Sequence, residues 1–299
     1  MRFTSRHKAL NGHRKTASGQ DYGFNPTIIS LRLPTCPLAH LLTFGIPMLI
    51  FDFDGVLLNS VVEMSITAYN GVTGELATSP DELPGNAIDI FMTNRYHVQA
   101  AGDGLTLMQW CLAHADLPPD YRLEAGAYQD IKTGVKTPLA ERTTWFFAAR
   151  KRFVEHDIVQ WRSLNSVYQP VWAALRGQGA EQVIILTYKN REATVTLCHH
   201  FELPVLNENV YAGDHGTTKI ENLLQIQDRF KKNRYTFVDD SLANLQELDV
   251  HFNAKKPVLD LFLASWGYIG PDDASLAQKA GYPFITQEDL IVEIDTKLH

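Results

Sequence analysis

Cysteine is scarce in this 299-residue chain: only Cys36, Cys111 and Cys198 occur, far apart from one another. That spacing excludes a C-x-x-C motif and a disulfide framework, and a reducing cytoplasm is the expected compartment. Long apolar runs are also missing, and none approaches the length of a membrane span. Basic charge is in deficit, with 27 Lys and Arg against 34 Asp and Glu. A formal net charge of -7 disfavours nucleic acid or an anionic membrane surface as a partner. There is no internal repeat and no low-complexity segment. What remains is a globular composition, 45% hydrophobic and 20% charged, long enough for one large domain or two ordinary ones.

Residues 1–47 stand apart. They hold six basic residues (Arg2, Arg6, Lys8, Arg14, Lys15 and Arg32) and a single acid, Asp21. Four prolines interrupt them, and only Leu38 to Phe44 is notably apolar. An Arg-rich, acid-poor start can be a transit peptide; the expectation here is a nonessential extension, with the fold beginning near Met48.

At Met48 the chain turns apolar, Met48-Leu49-Ile50-Phe51, and then reaches Asp52, Asp54 and Gly55. A short apolar run bounded by turn chemistry predicts a buried strand, and Gly55 permits a sharp turn at its end. Two acids leaving a buried strand are costly unless a cation neutralises them, and a hard ion such as Mg²⁺ does so through oxygen ligands. From about Val61 to Asn165 the pattern is helical, including Ile88 to Ala101 and a long helix from Pro138 to about His156. Trp145, Phe146, Ala149 and Phe153 are expected on the apolar side of that helix. No convincing strand interrupts this stretch.

Beyond it, strands and helices alternate. Strands are expected at Gln182 to Leu186, Val210 to Ala212, Tyr235 to Val238, Leu259 to Ala264 and Phe284-Ile285, with helices between them. That alternation predicts an α/β fold, a parallel sheet covered on both faces. The expected organisation is a Rossmann-like core from residues 48–60 and 165–299, with a helical insertion at 61–164. Polar groups stand at the ends of the strands: Asp52 and Asp54, then Thr187, then Asp239 and Asp240, with Lys219 opening a helix between the last two sets. Parallel strands would bring them to one edge. Two groups of acids, a hydroxyl and an amine suit phosphoryl transfer.

With these residues in order, the sequence resembles the haloacid dehalogenase superfamily of phosphohydrolases. F-D-F-D-G-V at Phe51 to Val56 is similar to its first motif, I-I-L-T ending at Thr187 to its second, Lys219 to its third, and F-V-D-D-S-L-A-N-L at Phe237 to Leu245 to its fourth. Trp266 to Asp273 and the final F-I-T-Q-E-D-L look like its C-terminal segments, and the helical insertion looks like its C1 cap. The resemblance implies that Asp52 is the nucleophile and forms an aspartyl-phosphate. Asp54 would protonate the leaving oxygen and later activate water. Thr187 and Lys219 would hold phosphoryl oxygens, with the Tyr188 backbone N–H beside them. Mg²⁺ would be held by the Asp52 carboxylate, the Asp54 carbonyl and the Asp239/Asp240 pair, with Asp240 direct and Asp239 direct or through water. An acid at position 54 argues against dehalogenase and phosphonatase chemistry.

The function this implies is an Mg²⁺-dependent phosphatase of a small phosphorylated metabolite. The rivals are a phosphomutase of the same superfamily and a binding protein that kept the fold without turnover. Other residues rank lower. Lys189 is either an extra anion contact or an exposed loop lysine. His199 and His200 are read as helix-surface residues, and Trp110, Trp145 and Trp161 as core. Asn94, Arg95 and Arg142 are weak candidates for contacts to the rest of the substrate.

Overall fold

The structure, a computed structural model, describes residues 47–298. The extension expected over residues 1–47 lies outside them apart from Pro47, as does Cys36. Strand β1, Met48–Phe51, occupies the centre of a six-stranded sheet. Its partners are β4, Ile185–Leu186, and β6, Tyr235–Asp239. Outside these lie β5, Val210–Tyr211, on one side, then β7, Leu259–Ala264, and β8, Phe284–Ile285, on the other. Every pairing in this sheet is parallel.

The strands are apolar at successive positions because both faces of the sheet are buried. Leu49 and Phe51 enter one core, and Ile50 enters the other. Leu49, Ile50 and Phe51 have no exposed surface, so neither face can afford a polar residue. The first core is completed by α7, Gln169–Arg176, α8, Arg191–His200, and α12, Gln287–Leu298. The second is completed by α9, Lys219–Phe230, α10, Leu242–Phe252, and α11, Asp273–Ala280. The α/β architecture with a parallel sheet is therefore the one expected.

Between β1 and α7 the chain leaves the sheet. It exits through β2, Leu58–Asn59, and returns through β3, Ser166–Val167, which pair antiparallel as a small ribbon. The sequence did not signal this ribbon, because two residues are too few for a periodic pattern. Between the two strands run six helices: α1, Val61–Thr73; α2, Ala87–Thr93; α3, Ala101–Ala113; α4, Ala125–Gly134; α5, Leu139–His156; and α6, Ile158–Ser163.

Two local expectations change. The helix expected from Ile88 to Ala101 breaks after Thr93. Asn94 is fully buried, and its amide donates to the carbonyls of Ile90 and Tyr121 and accepts from the N–H of Leu123. A side chain so placed competes with the helical ladder. The chain restarts at α3, where the Asp103 carboxylate accepts the N–H groups of Gln99 and Ala100. In α5 the inward positions are Arg142, Phe146, Ala149, Arg150 and Phe153. Trp145 falls beside that stripe and is 46% exposed, so it is not core; Trp161 is fully buried and Trp110 partly so.

Candidate active site

Strands β4, β1 and β6 are neighbours, so their C-terminal ends place Thr187, Asp52 and Asp239 side by side. Backbone pairing carries this order past the strands: Asp52 N–H donates to Val238 O, and Thr187 N–H to Tyr211 O. After Asp52 the chain turns at Gly55, with φ +88, and the N–H groups of Leu57 and Leu58 both return to Phe53 O. The turn aims the Asp54 side chain back over the sheet edge. Lys219, the first residue of α9, is buried beneath the same point.

Lys219 Nζ lies 2.6 Å from Asp239 Oδ2 and 3.2 Å from Asp52 Oδ1. Its ammonium also sits over the rings of Tyr188 and Phe237, at 5.3 and 5.1 Å. Burial works against this ammonium, yet Asp239 and Asp52 outweigh burial and hold its pKa above the usual lysine value. Both Asp239 oxygens have protein partners: Oδ1 accepts from Ser241 N–H, and Oδ2 accepts from Lys219 and from Asn244 Nδ2. Asp52 is different. Its Oδ1 is buried and accepts no hydrogen bond, because Lys219 is near but not aligned with it. Burial, with Asp239 and Asp54 nearby, lifts the Asp52 carboxyl to about 7 against the opposing effect of Lys219. Asp240 is likewise pushed well above the ordinary carboxylate range by burial and by Asp239 and Asp52.

Asp52, Asp239 and Asp240 can each offer one oxygen, all within 4.8 Å of one another. Three converging carboxylates, one with an orphaned buried oxygen, fit a hard divalent cation. Asp52 and Asp240 are the better direct ligands, since Asp239 spends both oxygens on protein donors. Asp240 Oδ2 accepts the Tyr268 N–H at 2.7 Å, which fixes that carboxylate from the side of the loop after β7. Tyr268 was not singled out in the sequence, although it lies in the Trp266 to Asp273 segment.

Asp54 faces the group from the other side. Its Oδ1 accepts from Ser60 Oγ at 2.5 Å and from Lys189 Nζ at 3.0 Å. Lys189 is no exposed loop lysine: it is 4% exposed, and its ammonium is shared between Asp54 and Glu63. Its backbone N–H also donates to Thr187 Oγ1. Arg95 reaches the site from the helical side, with its guanidinium 4.4 Å from the centre of the Tyr268 ring. Asp52, Asp54, Arg95, Thr187, Lys189 and Asp240 all line one cavity of about 40 Å³. A wider cleft of about 1170 Å³ shares Gln99, Tyr188 and Asn244 with it.

The remaining candidates lie elsewhere. Asn94 is engaged in shaping its own loop, and Arg142 is buried against Thr106 Oγ1. His199 and His200 are exposed at the end of α8. Glu63 is the residue the sequence reading missed altogether. An acid on the inward face of α1, three residues beyond Ser60, was the available signal.

No family model matches the chain, and no curated protein matches it either. Solved structures do. A protein from Haemophilus somnus 129PT described as a predicted phosphoglycolate phosphatase is 16% identical, with a TM-score of 0.51, covering 82% of this chain and 96% of that one. A protein from Lactobacillus delbrueckii subsp. bulgaricus, provisionally named for the same activity, is 13% identical with a TM-score of 0.53, covering 84% and 98%. A protein from Bacteroides fragilis, provisionally named a haloacid dehalogenase-like hydrolase, is 13% identical with a TM-score of 0.50, covering 81% and 96%. The fold of this chain is therefore the haloacid dehalogenase-like fold that its motifs resemble.

Proposed function

We propose that this chain is an Mg²⁺-dependent phosphatase acting on small phosphomonoesters through an aspartyl-phosphate at Asp52. The observation that carries the reading is the convergence of Asp52, Asp239 and Asp240, each offering an oxygen within 4.8 Å of the others, beside a cavity that Asp52, Asp54, Thr187, Lys189 and Asp240 line. The provisional phosphatase names of the structural neighbours agree with it. Asp52, Asp240 and the Asp54 carbonyl would hold the cation, with Asp239 in support. When bound, the ion offsets the repulsion between an anionic nucleophile and a dianionic phosphoryl group.

The chain's own residues then divide the work. Asp52 attacks phosphorus, and the ester oxygen leaves with a proton from Asp54. The deprotonated Asp54 next takes a proton from the water that cleaves the acyl-phosphate, which returns Asp52 and releases phosphate. Lys219 and the Thr187 hydroxyl hold phosphoryl oxygens, and Lys189 adds a second cation to the cavity wall. Helices α1–α6 act as a cap over this edge, and the wider cleft takes the rest of the substrate. Among the described residues no helix is long and apolar enough to cross a membrane, and Cys111 and Cys198 are free and buried. The free cysteines support a reducing cytoplasm as the compartment.

The test is phosphate release from a panel of phosphorylated metabolites by metal-stripped protein, with and without Mg²⁺. Hydrolysis should require Mg²⁺, and Ca²⁺ should inhibit it, because a larger and looser coordination shell misplaces Asp52. Full activity in EDTA would overturn the reading. Isomerised sugar phosphate in place of free phosphate would reassign the chain to a mutase.

A further inference from the structure

Four charged side chains form one alternating row from the cavity into the helical segment: Asp54, Lys189, Glu63 and Arg150. Lys189 Nζ is 3.0 Å from Asp54 Oδ1 and 3.5 Å from Glu63 Oε2. Glu63, in the first turn of α1, has no exposed surface. Arg150 of α5 grips it with both arms, Nε to Oε1 at 2.8 Å and Nη2 to Oε2 at 2.9 Å. Trp161 Nε1 and Thr67 Oγ1 donate to Oε1 as well. Arg150 Nη1 continues to Asn190 Oδ1 at 3.2 Å, the residue next to Lys189.

The row has more charge than packing alone requires. Arg150 by itself neutralises Glu63 and satisfies both oxygens, which would suffice to join α1 to α5. Lys189 is a second buried cation, and its other partner is Asp54. A lysine stem is long and flexible, and one partner at its tip would leave it several rotamers. Two carboxylates within 3.5 Å of the ammonium restrict it far more. Burial alone would drive Glu63 toward its neutral acid, but Arg150 and Lys189 hold its pKa at about 2, so this carboxylate stays charged.

We propose that Glu63 is a positioning residue for Asp54: it holds the Lys189 ammonium in place, and Lys189 in turn fixes the Asp54 carboxyl at the leaving-group side of the cavity. Arg150 and Asn190 anchor the far end of the row to α5 and to the loop after β4. This inference rests on the reading of Asp54 as the proton donor. Loss of the anchor lets Asp54 turn away from the ester oxygen, while Asp52, Lys219 and Asp240 keep their own partners.

The discriminating readout is therefore the leaving group. An alkyl phosphate needs the proton from Asp54, and p-nitrophenyl phosphate largely does not. Glu63→Gln should lower kcat for an alkyl phosphate by about 10- to 100-fold, a part of what positioned proton transfer contributes. The same variant should change kcat for p-nitrophenyl phosphate by less than about 3-fold, with KM little altered for both substrates. Glu63→Gln leaves Arg150 without a counter-charge, so two further variants accompany it. The charge-neutral pair Glu63→Gln with Arg150→Gln should show the same selective loss. Glu63→Asp keeps the charge, shortens the reach and should lose less of the alkyl activity.

An equal loss on both substrates in folded protein, or an unchanged alkyl-to-aryl ratio, overturns the inference. Asp54→Asn, assayed in parallel, separates it from its premise. If that variant loses alkyl turnover and the Glu63 variants do not, only the positioning role fails. If Asp54→Asn keeps wild-type alkyl turnover, the reading of Asp54 fails and the role of Glu63 fails with it.

Discussion

Gly55 stands against Asp240 so closely that a Cβ on Gly55 would lie 1.9 Å from Asp240 Oδ2. The two residues follow different strands, and their close approach sets the turn after β1 against the end of β6. Gly267 closes the same point from a third side, where a Cβ would meet the Asp240 Cβ at 2.3 Å. The Asp240 carboxylate is thus boxed in by backbone, with the Tyr268 N–H as its polar partner.

This contact gives the first prediction. Gly55→Ala combines a left-handed backbone, φ +88, with an overlap that only a shift of Asp240 can relieve. The strained conformation alone costs about 1–2 kcal/mol. A displacement of Asp240 by about 1 Å should lower kcat by roughly 100-fold or more. Thermal melting and phosphate release on the same preparation check both effects. Near-wild-type activity would mean that Asp240 does not need this placement.

A second prediction follows from the crowding of acids around Asp52. Its carboxyl titrates at about 7 in the folded protein against an ordinary value of 3.8. The folded state therefore binds this proton more tightly than the unfolded state. The stabilisation is complete below the ordinary value and is lost as pH rises through 7. Asp240 acts in the same direction. Glu63 acts in the opposite one, but only below its ordinary value of 4.5, outside this window. Metal-stripped protein should therefore be more stable at pH 5 than at pH 8, by on the order of a few kcal/mol, and melt at a higher temperature there. Asp52→Asn should remove much of that difference and raise the melting temperature at pH 8. A metal-free protein that is most stable at pH 8 would show that these carboxyls are not destabilised by burial.

The fold was legible because its signals are local. Apolar runs ending in Asp52, Thr187 and Asp239 mark strands buried on both faces, and adjacency of three of those strands gathers the polar ends. Asp52, Asp54, Thr187, Lys219 and Asp240 could be picked out because each stands where a strand or helix changes character. Glu63 and Tyr268 could not, and Lys189 stood only as either an anion contact or an exposed loop lysine. Their importance depends on which distant groups meet them: Arg150 lies 87 positions from Glu63, and Lys189 lies 135 from Asp54. A lysine beside a strand end reads as solvated until the partners that bury it are known. The break at Asn94 escaped for the same reason, since its side chain is held by Tyr121 and Leu123.

Lys189 supplies the third prediction. Replacing it with Met removes a cation that two carboxylates share, although Glu63 keeps Arg150 and Asp54 keeps Ser60. Loss of one partner of a buried ion pair costs about 3–5 kcal/mol, and the surviving partners place this case at the lower end. Activity should fall with every phosphomonoester, because both the Asp54 tether and a positive charge on the cavity wall are lost. Chemical denaturation and steady-state kinetics of Lys189→Met measure the two losses. Unchanged kinetics in a folded variant would return Lys189 to a purely structural role.

The last prediction concerns entry to the site. The cavity that Asp52, Asp54 and Asp240 line is small, about 40 Å³, and Arg95 and Tyr96 of the helical side wall it in. Movement of the helical segment away from the sheet edge should widen it for substrate. The contact that must separate is Arg95 on Tyr268, at 4.4 Å, because Arg95 belongs to the helical side and Tyr268 to the loop that holds Asp240. Tyr268 also ties that loop to the exit ribbon, since its hydroxyl accepts the Ser60 N–H and donates to Asn59 Oδ1. The ribbon is where the chain leaves the core, so movement of α1–α6 as a unit should bend there. Arg95→Ala removes an attraction of about 0.5–2 kcal/mol, enough to shift an open–closed balance several-fold toward open. That variant should show a larger radius of gyration in solution scattering, faster amide exchange around Arg95 to Ala100, and a higher KM with a smaller change in kcat. Adding Mg²⁺ with a phosphate mimic should shrink the wild-type protein more than the variant. Identical scattering from both, with and without the mimic, would mean that substrate reaches Asp52 by some route other than this opening.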